Sequence, residues 1–439
     1  MLKEINNNLL KKKLVYFITF IFILSFFFED YFKFELEFLR FSIVEIIFIV
    51  IFFLTLLIHK LNFIKFVFKF DKKNILELII YTILVLKLIK FSLNFQNYYN
   101  LYELLIWLYL LSIYFIFKFY LIIDKNLIYY IENSFIVVSL ILSIHILYLF
   151  LLYKLGYQSN GLWTFKDTTY YPYAGTSSIN FESILMGYNQ AAHLVAPGFL
   201  FLFHKFNKKL ISLLLIVFYF IVMYLIKSKF LIVFFSILGI YLIIKYLNFK
   251  KPKLTKVFLL SSIIGLTLFY TIITHFIIIE KGMINSSNLD LFKQYYFTDF
   301  TIYLNNYDIY GSLFLKLKYT VIEIAQSYNY ILFESSNYFN HKIVLKNFDN
   351  YTDSHSDYFG ALANYGIIGF LIFIAFPICV IFEFLKYFNL KKSYNDSLVY
   401  FLLIVTIFIE AIISDFFHSQ FIWIIFAMYI FNVNYKKTT

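Results

Sequence analysis

One cysteine, one arginine and a charged fraction of only 15% are what this 439-residue chain has least of. The lone Cys379 sits in an apolar run and excludes an intrachain disulfide. The scarcity of charge excludes a soluble protein. With 62% hydrophobic and 23% aromatic residues, no water-soluble fold hides that much apolar surface, so the chain is expected to dissolve in lipid. Because Arg40 is the only arginine, the net charge of +12 is essentially lysine's. A nucleic-acid binder gathers such charge on a soluble face. Here the lysines fall in short connections between apolar runs, which is the pattern of membrane topology. The chain has no solenoid repeat and no low-complexity tract beyond its apolar bias. No small-residue cleavage site follows Lys11-Lys12-Lys13, so the first apolar run reads as an uncleaved span.

What is present is a series of apolar runs, each near the roughly 20 residues that a helix needs to cross a bilayer. They predict an all-α polytopic membrane protein of about twelve transmembrane helices. The expected spans are 14–28, 38–58, 75–93, 101–123, 134–153, 191–206, 210–226, 230–247, 257–279, 359–385, 397–414 and 417–431. Residues 1–439 form a single integral membrane domain on this reading. Lysines at 60, 65, 69, 72 and 73, at 250, 251, 253 and 256, and at 436 and 437 mark inward connections. The short outward loops at 29–37, 94–100 and 415–416 carry Lys33 alone, which puts both termini in the cytoplasm. Two outward loops are long. Residues 154–190 hold Gly, Ser, Thr and Tyr, and residues 280–358, between helices 9 and 10, far exceed a connector. Within the second, 313–333 mixes apolar residues with Lys316, Lys318 and Glu323 and is expected to form a helix on the outer leaflet. One turn breaks the charge rule: Lys227-Ser228-Lys229 joins two apolar helices on the outer side, where two ammonium groups call for an anionic partner.

The most informative stretch is 351–370, where a polar, acidic segment containing His355 runs into a membrane helix. Asp353 or Ser354 caps that helix by accepting free N–H groups of its first turn. Those N–H groups and the helix dipole make its start an anion site, and the same positive field favours a neutral imidazole able to take a proton. Asp349, Asp353 and Asp357 stand four apart around His355. Asp357 is a candidate to orient the ring. The three do not follow a recognised metal-ligand spacing, so no metal is expected. Arg40 and the Lys87–Lys90 pair, one helical turn apart, lie near outer helix ends. Such residues either line an anion pocket or snorkel to head groups, and snorkelling is the expected role. Glu103 and Glu410 are partners on the same terms. His145 and His275, inside apolar helices, are expected to bond to neighbouring helices.

His355, Leu362 and the pair Gly366-Ile367-Ile368-Gly369 opening a membrane helix together resemble the signature of the O-antigen polymerase and O-antigen ligase family. Ser228-Lys229 resembles the family's Ser-Arg site at an outer membrane edge. Lys316 or Lys318 resembles its second basic residue. Gly187-Tyr188-Asn189-Gln190 resembles the Gly…Asn opening of the span after the first long loop. The chain departs from the pattern in having Ser356-Asp357 after the histidine instead of Asn, and lysine where arginine is usual. An ammonium holds phosphate as a point charge, without the paired bonds of a guanidinium. The likeness covers about residues 187–382.

The resemblance implies a metal-independent glycosyltransferase of the bacterial inner membrane, without cofactor, acting on undecaprenyl-diphosphate-linked oligosaccharide at the periplasmic side. It assigns His355 to catalysis, and the spacing of the acidic residues adds Asp357 as its assistant. Lys227, Lys229, Lys316, Lys318 and Asn189, with Arg40 added from its place near an outer helix end, are the candidates for binding the diphosphate and substrate. The partners expected are the lipid-linked glycan, the bilayer, and other polysaccharide-assembly membrane proteins such as a flippase or chain-length regulator; nucleic acid is not among them. Polymerisation of repeat units is the leading expectation. Transfer of finished glycan to a lipid A core is its alternative, and a lipid-oligosaccharide flippase is the rival from another class.

Overall fold

A chain in hydrocarbon must satisfy its backbone hydrogen bonds internally, and helices do so within each segment. The computed structural model describes residues 2–28, 33–36, 39–59, 61–68, 75–93, 98–155, 164–167, 179–182, 188–205, 210–226, 230–246, 252–283, 357–387, 395–412 and 419–438. These are overwhelmingly helical. In order they form α1 (Leu2–Ser25), β1 (Lys33–Leu36), β2 (Leu39–Ser42), α2 (Ile43–His59), α3 (Leu61–Phe68), α4 (Ile75–Leu93), α5 (Tyr98–Ile123) and α6 (Leu127–Lys154). There follow β3 (Thr164–Asp167), β4 (Ile179–Glu182), α7 (Tyr188–His204), α8 (Leu210–Ile226), α9 (Phe230–Tyr246), α10 (Pro252–Met283), α11 (Asp357–Tyr387), α12 (Asn395–Glu410) and α13 (Gln420–Thr438). Among the described residues, four stretches are long and apolar enough to cross a membrane: Leu104–Ile123, Leu127–Leu152, Lys253–Tyr270 and Tyr365–Lys386.

The helices divide into centre and periphery. Residues 397–410 of α12 and 420–430 of α13 are buried without interruption, as expected of helices that are apolar all round. Around them, α5 packs on α13, α4 on α11, α9 on α12, and α6 against both α7 and α1. Phe384 and Phe401 stack at 3.8 Å between α11 and α12. At Gly198 of α7 a Cβ would fall 1.9 Å from Ser139 Oγ of α6, so this close approach requires the glycine. The outward stripes stay apolar: Phe53, Leu57, Ile211, Leu214, Leu371 and Phe382 are all exposed, a surface suited to lipid and not to water.

Polar side chains collect in two layers at opposite ends of the bundle. At one end, Glu77 in the first turn of α4 accepts hydrogen bonds from Tyr114 (2.7 Å) and Lys118 of α5. Glu132 of α6 is engaged by Tyr400 of α12 and by Lys205 at 2.7 Å, and Lys205 also reaches Asn133 at 2.9 Å. Asp124, between α5 and α6, is tied to α1 by the Tyr16 hydroxyl and by Lys12 at 3.3 Å. Burial alone would raise the Asp124 carboxyl, but the bonds from Tyr16, the Asn126 amide and Lys12 outweigh it and hold it below its ordinary value. A carboxyl held low stabilises the fold above its unfolded pKa, and that contribution is lost as pH falls through the folded one.

Several boundaries differ from the expected spans. The second apolar run does not start a helix at residue 38. Residues 33–42 pair as an antiparallel hairpin, Lys33 opposite Ser42 and Glu35 opposite Arg40, and α2 begins at Ile43. A capping box sets that start: the Ser42 amide donates to Glu45 at 2.6 Å, and the Val44 amide to Ser42 Oγ at 3.2 Å. The connection between the last two helices is also longer than residues 415–416, because α12 ends at Glu410 and α13 begins at Gln420. The lysine-rich connection between α2 and α4 contains α3, and the first long loop contains the β3–β4 hairpin.

Candidate functional site

The helix that follows His355 is broken. α11 runs from Asp357 to Tyr387, but Gly366 has φ 65° and ψ −167°. That conformation is essentially open only to glycine, and a side chain there would cost roughly 1–3 kcal/mol. The break leaves a short half-helix ending at Tyr365 and a second half that starts with its N–H groups directed at the break. Gly369 is needed for a different reason: a Cβ there would fall 2.1 Å from Cβ of Tyr365. The two glycines therefore let the chain turn and seat the Tyr365 ring against the start of the second half. That ring stacks on Phe373 at 6.2 Å.

Two lysines of α4 meet Tyr365. The ammonium of Lys87 lies 5.3 Å from the centre of its ring and 5.0 Å from that of Trp107, and Lys90 lies 5.1 Å from the Tyr365 ring. Lys87 is 4% exposed and Lys90 8%. The expectation that this pair snorkels to the head groups is therefore wrong: both side chains turn inward, toward α5 and α11. Each aromatic face offers a desolvated cation on the order of 2 kcal/mol, which offsets part of the burial. Trp107 is itself held edge-on against Trp423 of α13 at 5.4 Å.

The same end of the bundle carries carboxylates and hydroxyls. Asp357 opens α11 and is buried; its amide donates to the Ala411 carbonyl at 3.1 Å, beyond the end of α12. The Tyr358 hydroxyl donates to the Phe408 carbonyl at 3.2 Å. Glu410 accepts from Tyr270 of α10, the cross-helix partnership expected for such a group. Glu45, at the start of α2, also accepts from Gln420 at 3.3 Å. His193, one turn into α7, packs against Phe230 of α9 at 4.6 Å and Phe421 of α13 at 6.4 Å. The starts of α7, α9, α11 and α13 and the ends of α4 and α12 thus share this end.

Of the residues singled out from the sequence, Asp357 is here. Arg40 lies on β2 opposite Glu35, outside any helix, because the hairpin takes up the residues expected to start the second span. Asn189 is in the first turn of α7. His355, Lys227, Ser228, Lys229, Lys316, Lys318, Asp349 and Asp353 lie outside the described residues. His145 packs edge-on against Phe27 at 5.6 Å. Trp107, Tyr365 and Tyr270 were not anticipated. The available signal was the presence of two lysines within one apolar span, since ionisable groups there generally face the bundle interior. Among the described residues no cluster of three or more His, Cys, Asp and Glu side chains could hold a metal ion.

The arrangement can hold an anion: two buried ammoniums converge on the ring beside a helix break, with a carboxylate at the start of the same helix. No family model matches this chain, nor does any curated protein or solved structure.

Proposed function

We propose that this chain is an inner-membrane glycosyltransferase that polymerises undecaprenyl-diphosphate-linked oligosaccharide repeat units. Twelve spans, with both termini cytoplasmic, carry the site to the periplasmic side, where the segments 154–190 and 280–358 lie. The observation that supports this reading is the burial of Lys87 and Lys90 against Tyr365, at the break of the helix that His355 precedes by two residues.

The chemistry runs as follows. His355, oriented by Asp357, aligns the acceptor sugar hydroxyl and takes its proton as the oxygen attacks the anomeric carbon of the donor. The bond from that carbon to the diphosphate oxygen breaks, and undecaprenyl diphosphate leaves with the electron pair. Lys87 and Lys90 stabilise the charge developing on that leaving group. Lys229, Lys227, Lys316 or Lys318, Arg40 and Asn189 remain candidates for the rest of the substrate, on the resemblance and on their place in the topology. No metal takes part.

The transporter reading has one observation in its favour, the discontinuity at Gly366, since transporters build binding sites from broken helices. They pair such breaks in two related halves, whereas among the described residues Gly366 is the sole glycine with positive φ. Purified protein in liposomes, given the lipid-linked repeat unit in the presence of a chelator, is expected to form glycan with new inter-unit linkages and to release undecaprenyl diphosphate. Transfer only when a lipid A core is supplied would identify a ligase. Movement of the lipid across the bilayer with no new glycosidic bond would identify a transporter.

A further inference from the structure

At the opposite end of the bundle, α3 roofs an apolar groove. Phe63 and Phe66 dock the short helix onto Phe119 of α5 at 5.3 and 5.2 Å. The Tyr81 hydroxyl of α4 donates to the Val67 carbonyl at 2.9 Å and fixes its last turn. Beneath it, Phe52, Leu56, Phe63, Ile64, Val67, Ser112 and Phe115 line a groove of about 200 Å³. That is smaller than the roughly 300–1,000 Å³ of a typical small-molecule site, and suits part of one hydrocarbon chain. Ile64 is 41% exposed, so the groove opens at the outer surface.

Among the described residues α3 brings one exposed cation next to the groove. Lys65 follows Ile64 directly and is exposed. In sequence the segment from His59 to Asn74 carries Lys60, Lys65, Lys69, Lys72 and Lys73 against a single acidic residue, Asp71. Lys118 is not a second such cation: its ammonium lies 5.5 Å over the Phe66 ring and is engaged by Glu77. A short helix with an apolar inner face and a basic outer edge matches the chemistry of an anionic lipid, whose negative head group meets the lysines while a chain enters the apolar slot.

We infer that α3 and the groove beneath it form a binding site for one anionic phospholipid of the surrounding leaflet, with Lys65 at the head group and an acyl chain along Ile64, Leu56 and Phe115. The inference is independent of the proposed reaction. Native mass spectrometry of the full chain in detergent, titrated with phosphatidylglycerol or phosphatidylcholine, tests it. The expected result is one phosphatidylglycerol retained with a preference on the order of 10-fold over phosphatidylcholine. Lys65→Glu reduces that preference roughly 5-fold or more. Ser112→Trp, which fills the groove, removes the retained lipid whatever its head group; Ile64→Trp serves where Ser112→Trp does not fold, as judged by thermal unfolding. Glycerol phosphate, which has the charge but no chain, does not displace the lipid. Equal retention of the two lipids, an unchanged preference in Lys65→Glu, retention through the filled groove, or displacement by glycerol phosphate would each overturn the site.

Discussion

Lys87→Gln/Lys90→Gln is expected to lower glycan transfer by a factor on the order of 10³ or more, with the protein still inserted and folded. The physical basis is the placement of two like charges one turn apart, roughly 5–6 Å between Cβ atoms. Both ammonium groups are buried within about 5 Å of one aromatic ring, where a diphosphate beside them is attracted by both charges in a low-dielectric setting. Glutamine keeps a hydrogen-bond donor on a side chain one atom shorter and removes the charge. The change therefore separates two roles. If the lysines merely donate to the carbonyls freed at the end of the first half of α11, glutamine preserves most activity and the loss appears in thermal stability. If they stabilise a leaving diphosphate, rate falls while the unfolding temperature stays near that of the wild type. Lys87→Arg should retain a substantial part of the rate, because a guanidinium also binds phosphate. Assay of new linkages in liposomes reads the outcome, and wild-type transfer by the double variant would remove both residues from the mechanism.

His355→Ala should reduce the rate by about 10²–10⁴, the usual contribution of a positioned acid or base. Binding of the donor lipid should be nearly unchanged, since the diphosphate contacts lie on other residues. Asp357→Asn, which keeps the size of the side chain at the start of α11, should cost about 10-fold, as expected of a residue acting through the imidazole. The measurement is single-turnover transfer with the donor at saturation, beside a binding isotherm for the same lipid. Equal losses of rate and donor affinity in His355→Ala would mean that the histidine binds substrate and does not take the proton.

Much of this architecture was readable because a helix in lipid needs a long apolar run, and such runs are hard to miss. The starts and ends were less readable. α6 begins at Leu127 and not near residue 134 because Glu132, which looks like a loop residue, is paired inside the bundle with Lys205 and accepts a hydrogen bond from Tyr400, residues far away in the chain. α3 escaped notice because eight residues with a lysine among them fall short of any span. The hairpin before α2 carried a period-two alternation and the Ser42–Glu45 capping box, a local signal that a search for spans passes over. At the site, the two glycines of α11 were visible as a pair, but not their separate reasons, the positive φ of Gly366 and the Tyr365 side chain against Gly369. Lys87 and Lys90 were visible as well. Their direction was not, because it is set by Trp107 and by Tyr365, the latter more than 270 positions away in sequence.

The central claim is that the segment containing His355, which serves the acceptor hydroxyl, lies beside the diphosphate that the Lys87–Lys90 pair holds. A donor lipid carrying a photoreactive group next to its diphosphate, bound to the purified protein in liposomes and activated by light, tests this directly. Peptide mass spectrometry should find the label on both the 351–358 segment and α4 near residues 87–90, and excess unlabelled donor should abolish it. Label confined to one of the two, or placed at the opposite end of the bundle among Glu77, Glu132 and Asp124, would contradict the account.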